Sequence, residues 1–217
     1  MDPADLIQRF PRLYHMAADG SWPGIAQHGL LSATALLDLF EITDPLRYQL
    51  EAQRRPESRV IQHPVHGQAV IRDNKPLLES RLAGCLQGGM TPEQWYRLLN
   101  RRTFFWPTRK RVETLLAAYR GAPQIVITVS TERLVAAHSD AICLSIINSG
   151  ATRPFARPRG PDTFTPLDAF DFDARKRYGH TAIAELTVDY AVKDMLSVTE
   201  RVDQHFPDGA SAPLWTP

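Results

Sequence analysis

The chain has 217 residues, 43% hydrophobic and 23% charged, which suits one globular domain with a sizeable core. A net charge of +1 supplies no global field that would demand nucleic acid or an acidic membrane surface. No run approaches the roughly 20 apolar residues of a membrane helix, and the acidic start Met1-Asp-Pro-Ala-Asp5 lacks a signal peptide's basic and apolar regions. The near-zero net charge and the lack of an apolar span lead to an expectation of no membrane partner. Cys85 and Cys143 stand apart without Cys-x-x-Cys spacing, so reduced thiols in a cytoplasm are expected, with no disulfide framework. Lysine occurs only at Lys75, Lys110, Lys176 and Lys193, leaving arginine as the main cation. Arginine suits bidentate phosphate contacts, and a GC-rich genome gives the same bias.

In chain order, Arg12 to Met16 reads as a short strand. A helix follows over Trp22 to His28, with Ser21 as its cap, Pro23 near its start and Gly29 closing it. Ala33, Leu36, Leu37 and Phe40 share one face of a second helix. Thr43 to Lys75 is polar and weakly periodic, with strand character only at Gln68 to Ile71; residues 43–91 are expected to be an insertion or mobile loop. Thr91-Pro-Glu-Gln94 is a capping box that opens a helix carrying Trp95, Leu98 and Leu99. Thr103 to Trp106 reads as a strand. Thr108 then caps a basic-started helix with Val112, Leu115, Leu116 and Tyr119 on one face, ended by Gly121.

Ile125 to Val129 and Ala141 to Ile147 are apolar enough for buried strands, with a short helix at Thr131 to Ala137 between them. A Gly-, Pro- and Arg-rich loop region runs from Asn148 to Tyr178. A strand follows over Thr181 to Val188, then a helix at Asp194 to Phe206 and a frayed tail over 207–217. Strands and helices interleave without a regular βαβ rhythm, so an α+β single domain over 1–206 is expected.

Glu185 stands alone among small and β-branched residues in that last strand, against both strand preference and desolvation. An ion pair or a site can offset the cost, and the basic run Arg175-Lys-Arg-Tyr-Gly-His180 lies directly upstream. His63-Pro-Val-His66 has metal-ligand spacing, but lacks a Cys, an Asp pair or a His-Glu-x-x-His helix nearby, so a solvated loop is the simpler reading and no metal is expected. No P-loop, Gly-x-Gly-x-x-Gly or Gly-x-Ser-x-Gly elbow occurs. The clusters Arg97/Arg101/Arg102, Arg109/Lys110/Arg111 and Arg153/Arg157/Arg159 can each track a phosphate backbone or simply face solvent.

Leu13-Tyr-His-Met16 followed by Trp22-Pro-Gly-Ile-Ala-Gln-His-Gly-Leu-Leu-Ser32 resembles the opening of the DarT-type branch of the ADP-ribosyltransferase superfamily. The likeness continues in order through Phe104-Phe105-Trp106-Pro-Thr-Arg109, Ile125 to Val129, and Ile146-Ile-Asn-Ser-Gly-Ala-Thr152. It ends at Arg175-Lys-Arg177 leading into Ala184-Glu-Leu-Thr-Val188, and a place in an uncharacterised bacterial family of that superfamily is expected. Met16 stands where the branch has Thr, and acids are absent at Asn148 to Gly150.

The resemblance implies split mixed or antiparallel β-sheets flanked by helices around an NAD cleft. It also implies Glu185 and His15 as catalytic residues, with Tyr14, His15, Gly29, Leu30, Phe105, Trp106 and Arg109 around NAD, the co-substrate. Arg153, Arg157, Arg159, Arg175 and Arg177 would then hold an acceptor, such as a base in single-stranded DNA or RNA, or a protein. By the same likeness a toxin role with an antitoxin partner is expected. Two other readings stay open: an NAD glycohydrolase or phosphorylase, and an inactive nucleotide- or protein-binding module.

Overall fold

The computed structural model describes residues 1–175, 178 and 182–217. Helix α1 (Pro3–Arg9) starts on Asp2, whose carboxylate accepts the Ala4 N–H at 2.9 Å. Strand β1 (Arg12–Ala18) follows, then α2 (Trp22–His28), β2 (Leu30–Leu31) and α3 (Ala33–Leu39). Beyond them come α4 (Leu46–Ala52), the hairpin β3 (Arg59–His63) and β4 (Gly67–Ile71), and α5 (Glu79–Ala83). Next are α6 (Pro92–Asn100), β5 (Arg102–Phe105), α7 (Arg109–Ala118), β6 (Gln124–Ser130), α8 (Thr131–His138) and β7 (Ile142–Ser145). The chain closes with β8 (Thr165–Pro166), β9 (Glu185–Asp189), β10 (Ala191–Val192), α9 (Met195–Val198), β11 (Thr199–His205) and β12 (Ser211–Trp215).

Among the described residues these strands build two four-stranded antiparallel sheets, ordered β1-β6-β11-β12 and β5-β9-β7-β8. The expected α+β domain is thus present, with antiparallel pairing within each sheet. The sheets touch at one bridge, where Tyr14 N–H donates to Trp106 O at 3.0 Å and Trp106 N–H donates to Tyr14 O at 2.8 Å. The main core fills the space between them with Leu13, Ile127, Val129, Phe105, Leu144 and Leu186. On the far face of the second sheet, Phe104 and Cys143 meet Trp95, Tyr96 and Phe164, while α7 covers Met16 and Val126 with Val112.

Three expectations need correction. Residues 43–91 are not a loop: α4, the β3–β4 hairpin and α5 pack there, with Leu37, Phe40, Leu50, Ile61 and Ile71 as a core of their own. Its polar appearance hides buried charge. Arg55, 8% exposed, donates to Leu50 O, Arg72 O and Asn100 Oδ1, and Glu51, 6% exposed, accepts from Thr34 and Arg97. Second, the expected helix at Asp194 to Phe206 is four helical residues followed by β11, an inner strand of the first sheet. Met195, Val198 and Val202 are all buried and sit at helical spacing, but Val202 reaches the core from a strand pairing with β6. Third, the tail is not frayed: β12 pairs with β11, and Trp215 packs on Trp22 with ring centres 5.1 Å apart. The capping box at Thr91 forms as read, whereas Ser21 and Thr108 make no side-chain cap bond.

Candidate active site

Glu185 is the first residue of β9, paired with Ser145 of β7, and only 3% of its surface is exposed. Leu186 and Val188 point into the main core, so strand alternation turns Glu185 and Thr187 to the opposite face. There the carboxylate meets the loop after β7. The Ser149 amide donates to both oxygens, at 3.3 and 3.1 Å. The Ser149 hydroxyl is buried beside it but outside hydrogen-bonding geometry, so the amide is the anchoring contact. Burial pushes the Glu185 carboxyl up to about 7, opposed by the Ser149 groups and then by the positive charges of Arg111 and Arg159.

Arg111, read from sequence only as one of a basic cluster with Arg109 and Lys110, is the residue that the fold adds to the Glu185 site. It lies in the first turn of α7, half-buried, and its charge acts on Glu185. Burial lowers its own pKa and Glu185 works against that. The sequence signal for it is its place beside core-facing Val112.

A raised folded-state pKa fixes a sign. Glu185 binds its proton more tightly in the folded chain, so its contribution to stability is full below about pH 4.5 and is lost as pH rises through about 7. Glu185→Gln keeps an oxygen for the Ser149 amide and removes the titration. Relative to wild type, the variant should therefore gain about 2 to 3 kcal/mol between pH 5 and pH 8. Thermal unfolding at the two pH values checks this; a Tm difference that does not change with pH would mean the carboxyl titrates normally.

His15 projects from β1 at the junction of the sheets. Its ring centre lies 5.9 Å from that of Phe105 and 6.4 Å from that of Trp106, and Nδ1 lies 2.8 Å from Phe104 O. A carbonyl can only accept, so Nδ1 carries the hydrogen and Nε2 keeps a free lone pair. Burial lowers the His15 pKa to about 4, against the Phe104 bond and with help from the charge of Arg72. The imidazole is neutral at pH 7. Next to it, Tyr14 belongs to the bridge that joins the sheets, and extending the β5–β9 register by one step sets Trp106 opposite Glu185.

Gly29 ends α2 with φ +87°, and Leu30 pairs with Val192 of β10, just past the end of β9. The segment read from sequence as a helix closing in Gly-Leu-Leu is therefore fastened to β10, two residues beyond the end of the strand that carries Glu185. Phe105 is fully buried in the main core, which removes it as a stacking surface for a ligand; half-buried Trp106 is the aromatic left for that role. Arg109 is exposed and paired with Glu113 at 3.2 Å. It lines an open polar groove with Arg12, Tyr14, Thr128 and Arg201, whereas Arg111, two residues on, is the α7 cation whose charge reaches Glu185.

The arginines expected at an acceptor divide. Arg153 and Arg157 are exposed, on either side of Phe155, itself 80% exposed. Arg159 is the correction: it is 1% exposed and donates only inward, to the carbonyls of Arg157, Ser149 and Ala151. Arg175 is half-buried, donating to Ala182 O at 3.3 Å with its guanidinium over Tyr178. Arg177 lies outside the described residues. His63 and His66 end and follow β3, with ring centres 4.6 Å apart, and His66 meets His28 at 5.1 Å. His63 Nδ1 accepts the Val65 and His66 amides, so its lone pair is engaged. Among the described residues no group of three or more His, Cys, Asp or Glu converges as a metal site, and no helix is long and apolar enough to cross a membrane.

Fold and site together define an α+β protein built on two antiparallel sheets, with a buried, hydrogen-bonded carboxylate at the start of an inner strand. Residues 11–199 match the family model described as a family of unknown function, DUF7002, and the chain belongs to that family. No curated protein matches it.

Proposed function

We propose that this chain is an ADP-ribosyltransferase that moves ADP-ribose from NAD to a macromolecular acceptor, with single-stranded nucleic acid the favoured class. The observation that carries the reading is Glu185. It is a lone carboxylate, buried and held near neutral pKa, with a backbone donor and two arginines around it. The ordered likeness to the DarT-type branch gives that carboxylate a reaction, and the junction of the two sheets at Tyr14 and Trp106, beside His15, is where this reading puts NAD.

In this reading the bond between ribose C1′ and the nicotinamide nitrogen breaks, and nicotinamide leaves with the bonding pair. Positive charge develops on the ribose, and ionised Glu185 stabilises it while accepting a hydrogen bond from the 2′-OH. The acceptor then bonds to C1′ and its proton passes to Glu185, for which a pKa near 7 is well placed. Neutral His15 offers Nε2 to a hydroxyl of the adenosine ribose. Half-buried Trp106 gives nicotinamide a π face, and half-buried Arg111, in place of exposed Arg109, offers its guanidinium to the pyrophosphate. Exposed Arg153 and Arg157 around Phe155 offer charge and a stacking surface to a nucleic-acid strand.

The test is nicotinamide release from NAD by the purified chain, alone and with single-stranded DNA, RNA or protein. Release that rises with a nucleic acid, with ADP-ribose found on it, is the expected result. Release at the same rate without acceptor would make the protein an NAD glycohydrolase. Folded protein that releases nothing under any condition would leave only a binding module.

A further inference from the structure

Arg159 is one of the largest fully buried side chains, and three backbone carbonyls hold its guanidinium. Nε donates to Arg157 O at 3.0 Å, Nη1 to Ser149 O at 2.9 Å and Nη2 to Ala151 O at 2.9 Å. The group lies 5.8 Å from the Trp95 ring centre, so α6 forms its floor. Its own backbone is fixed to the segment after α5, with Arg159 N–H donating to Cys85 O at 2.9 Å and Gln87 N–H to Arg159 O at 2.8 Å. The next residue, Gly160, is so close to Gln87 that a Cβ would stand 3.0 Å from its carbonyl oxygen. Arg159 thus clamps the Asn148–Thr152 loop to the segment between β4 and α6.

One end of that loop is the Ser149 amide, which donates to Glu185. Ser149 therefore carries both contacts, its N–H on the carboxylate and its C=O on the guanidinium. A planar fork with five donors fits three carbonyls, and a point-charge ammonium does not. We infer that Arg159 is a positioning residue for Glu185: acting through Ser149, it sets the direction and the ionisation of that carboxylate. The other groups facing Glu185 are Arg111 from α7 and the Ser149 hydroxyl, while Arg159 also faces the Cys85 thiol. Burial lowers the Arg159 pKa while Cys85 and Glu185 hold it up, in that order. Arg159 and Glu185 are therefore linked: each favours the charged form of the other.

The test uses the full chain with 13C-labelled glutamate, the Glu185 carboxyl being assigned by its loss in Glu185→Gln. Arg159→Gln should raise the Glu185 midpoint by about one pH unit. Arg159→Lys, which keeps the charge but cannot span the loop, should restore part of that shift. If the NAD-dependent reading holds, on which this kinetic arm alone rests, Arg159→Gln should lower kcat about 10-fold or more with KM within about 2-fold, and its acid limb should move with the carboxyl. Arg159→Lys should recover the pH limb better than kcat. Should Arg159→Gln fail to fold, the wild-type Arg159 15Nε resonance is read instead; it should titrate with the Glu185 midpoint and lose that titration in Glu185→Gln. A folded Arg159→Gln with an unmoved Glu185 midpoint, or an Arg159 resonance blind to Glu185, overturns the inference. Absence of NAD turnover in wild type would sink the proposed activity and leave both titrations standing.

Discussion

Glu185→Gln is expected to lower nicotinamide release from NAD by about 10²- to 10⁴-fold while NAD binding changes little. The range is that of a positioned acid–base group, and electrostatic stabilisation of the developing ribose charge acts through the same carboxylate. The amide keeps the size of the side chain and an acceptor for the Ser149 N–H, so the substitution removes charge and basicity with little else. Binding of intact NAD relies, in this reading, on groups placed elsewhere: His15 on β1, Trp106 after β5 and Arg111 on α7. Isothermal titration with NAD separates the two effects from a release assay. The pH profile adds a sign. The working form is the ionised carboxylate, so wild-type release should rise with pH through about 7 and level off above it. His15, at about 4, is already neutral throughout that range and should leave no second limb near neutrality. Turnover unchanged in Glu185→Gln would remove the residue from the reaction.

Much of the scaffold of this site is legible in the amino-acid sequence. Trp22 to His28 closing at Gly29 forms as the Pro and Gly signals predict, and the strand at Ile125 to Val129 is found within β6, buried along its whole length. Glu185 stands out because an apolar strand has no reason of its own to carry a carboxylate. The features that escape such a reading depend on contacts distant in sequence. His15 gains its tautomer from Phe104, 89 residues away, and Glu185 its donor from Ser149, 36 residues away. Arg157 and Arg159 sit two apart in an irregular loop, one exposed and the other 1% exposed, and no periodicity divides them. The β11 strand escapes for a different reason. Buried residues at Met195, Val198 and Val202 satisfy a helix period, and only the partner strands β6 and β12 decide in favour of a sheet. The segment between α3 and α6 escapes because its core is small and much of its interior is Arg55, Glu51 and Asn100, residues that sequence composition assigns to solvent.

The junction at Gly29 should prove as sensitive as the carboxylate, in stability instead of turnover. Its backbone, φ +87° and ψ 172°, lies in a region open essentially to glycine alone. Space is also missing: a Cβ would stand 2.5 Å from Val192 O and 2.6 Å from Lys193 Cα, backbone atoms that cannot swing aside. Either α2 must lift or the β2–β10 pair must part, and that pair lies just past the strand bearing Glu185. Gly29→Ala is therefore expected to cost more than about 3 kcal/mol, a Tm fall of about 6 to 12 °C for a chain of this length. Gly20→Ala is the control. Its φ of +76° carries strain, but nothing lies within 4 Å of the added carbon, so its cost should stay near about 1 kcal/mol. A Gly29→Ala protein that melts with Gly20→Ala would show that α2 and β10 are free to separate. The Gly-Leu-Leu step would then be a loose neighbour of the Glu185 strand, and the close packing of the α2 end on β10 would no longer explain the glycine at this position.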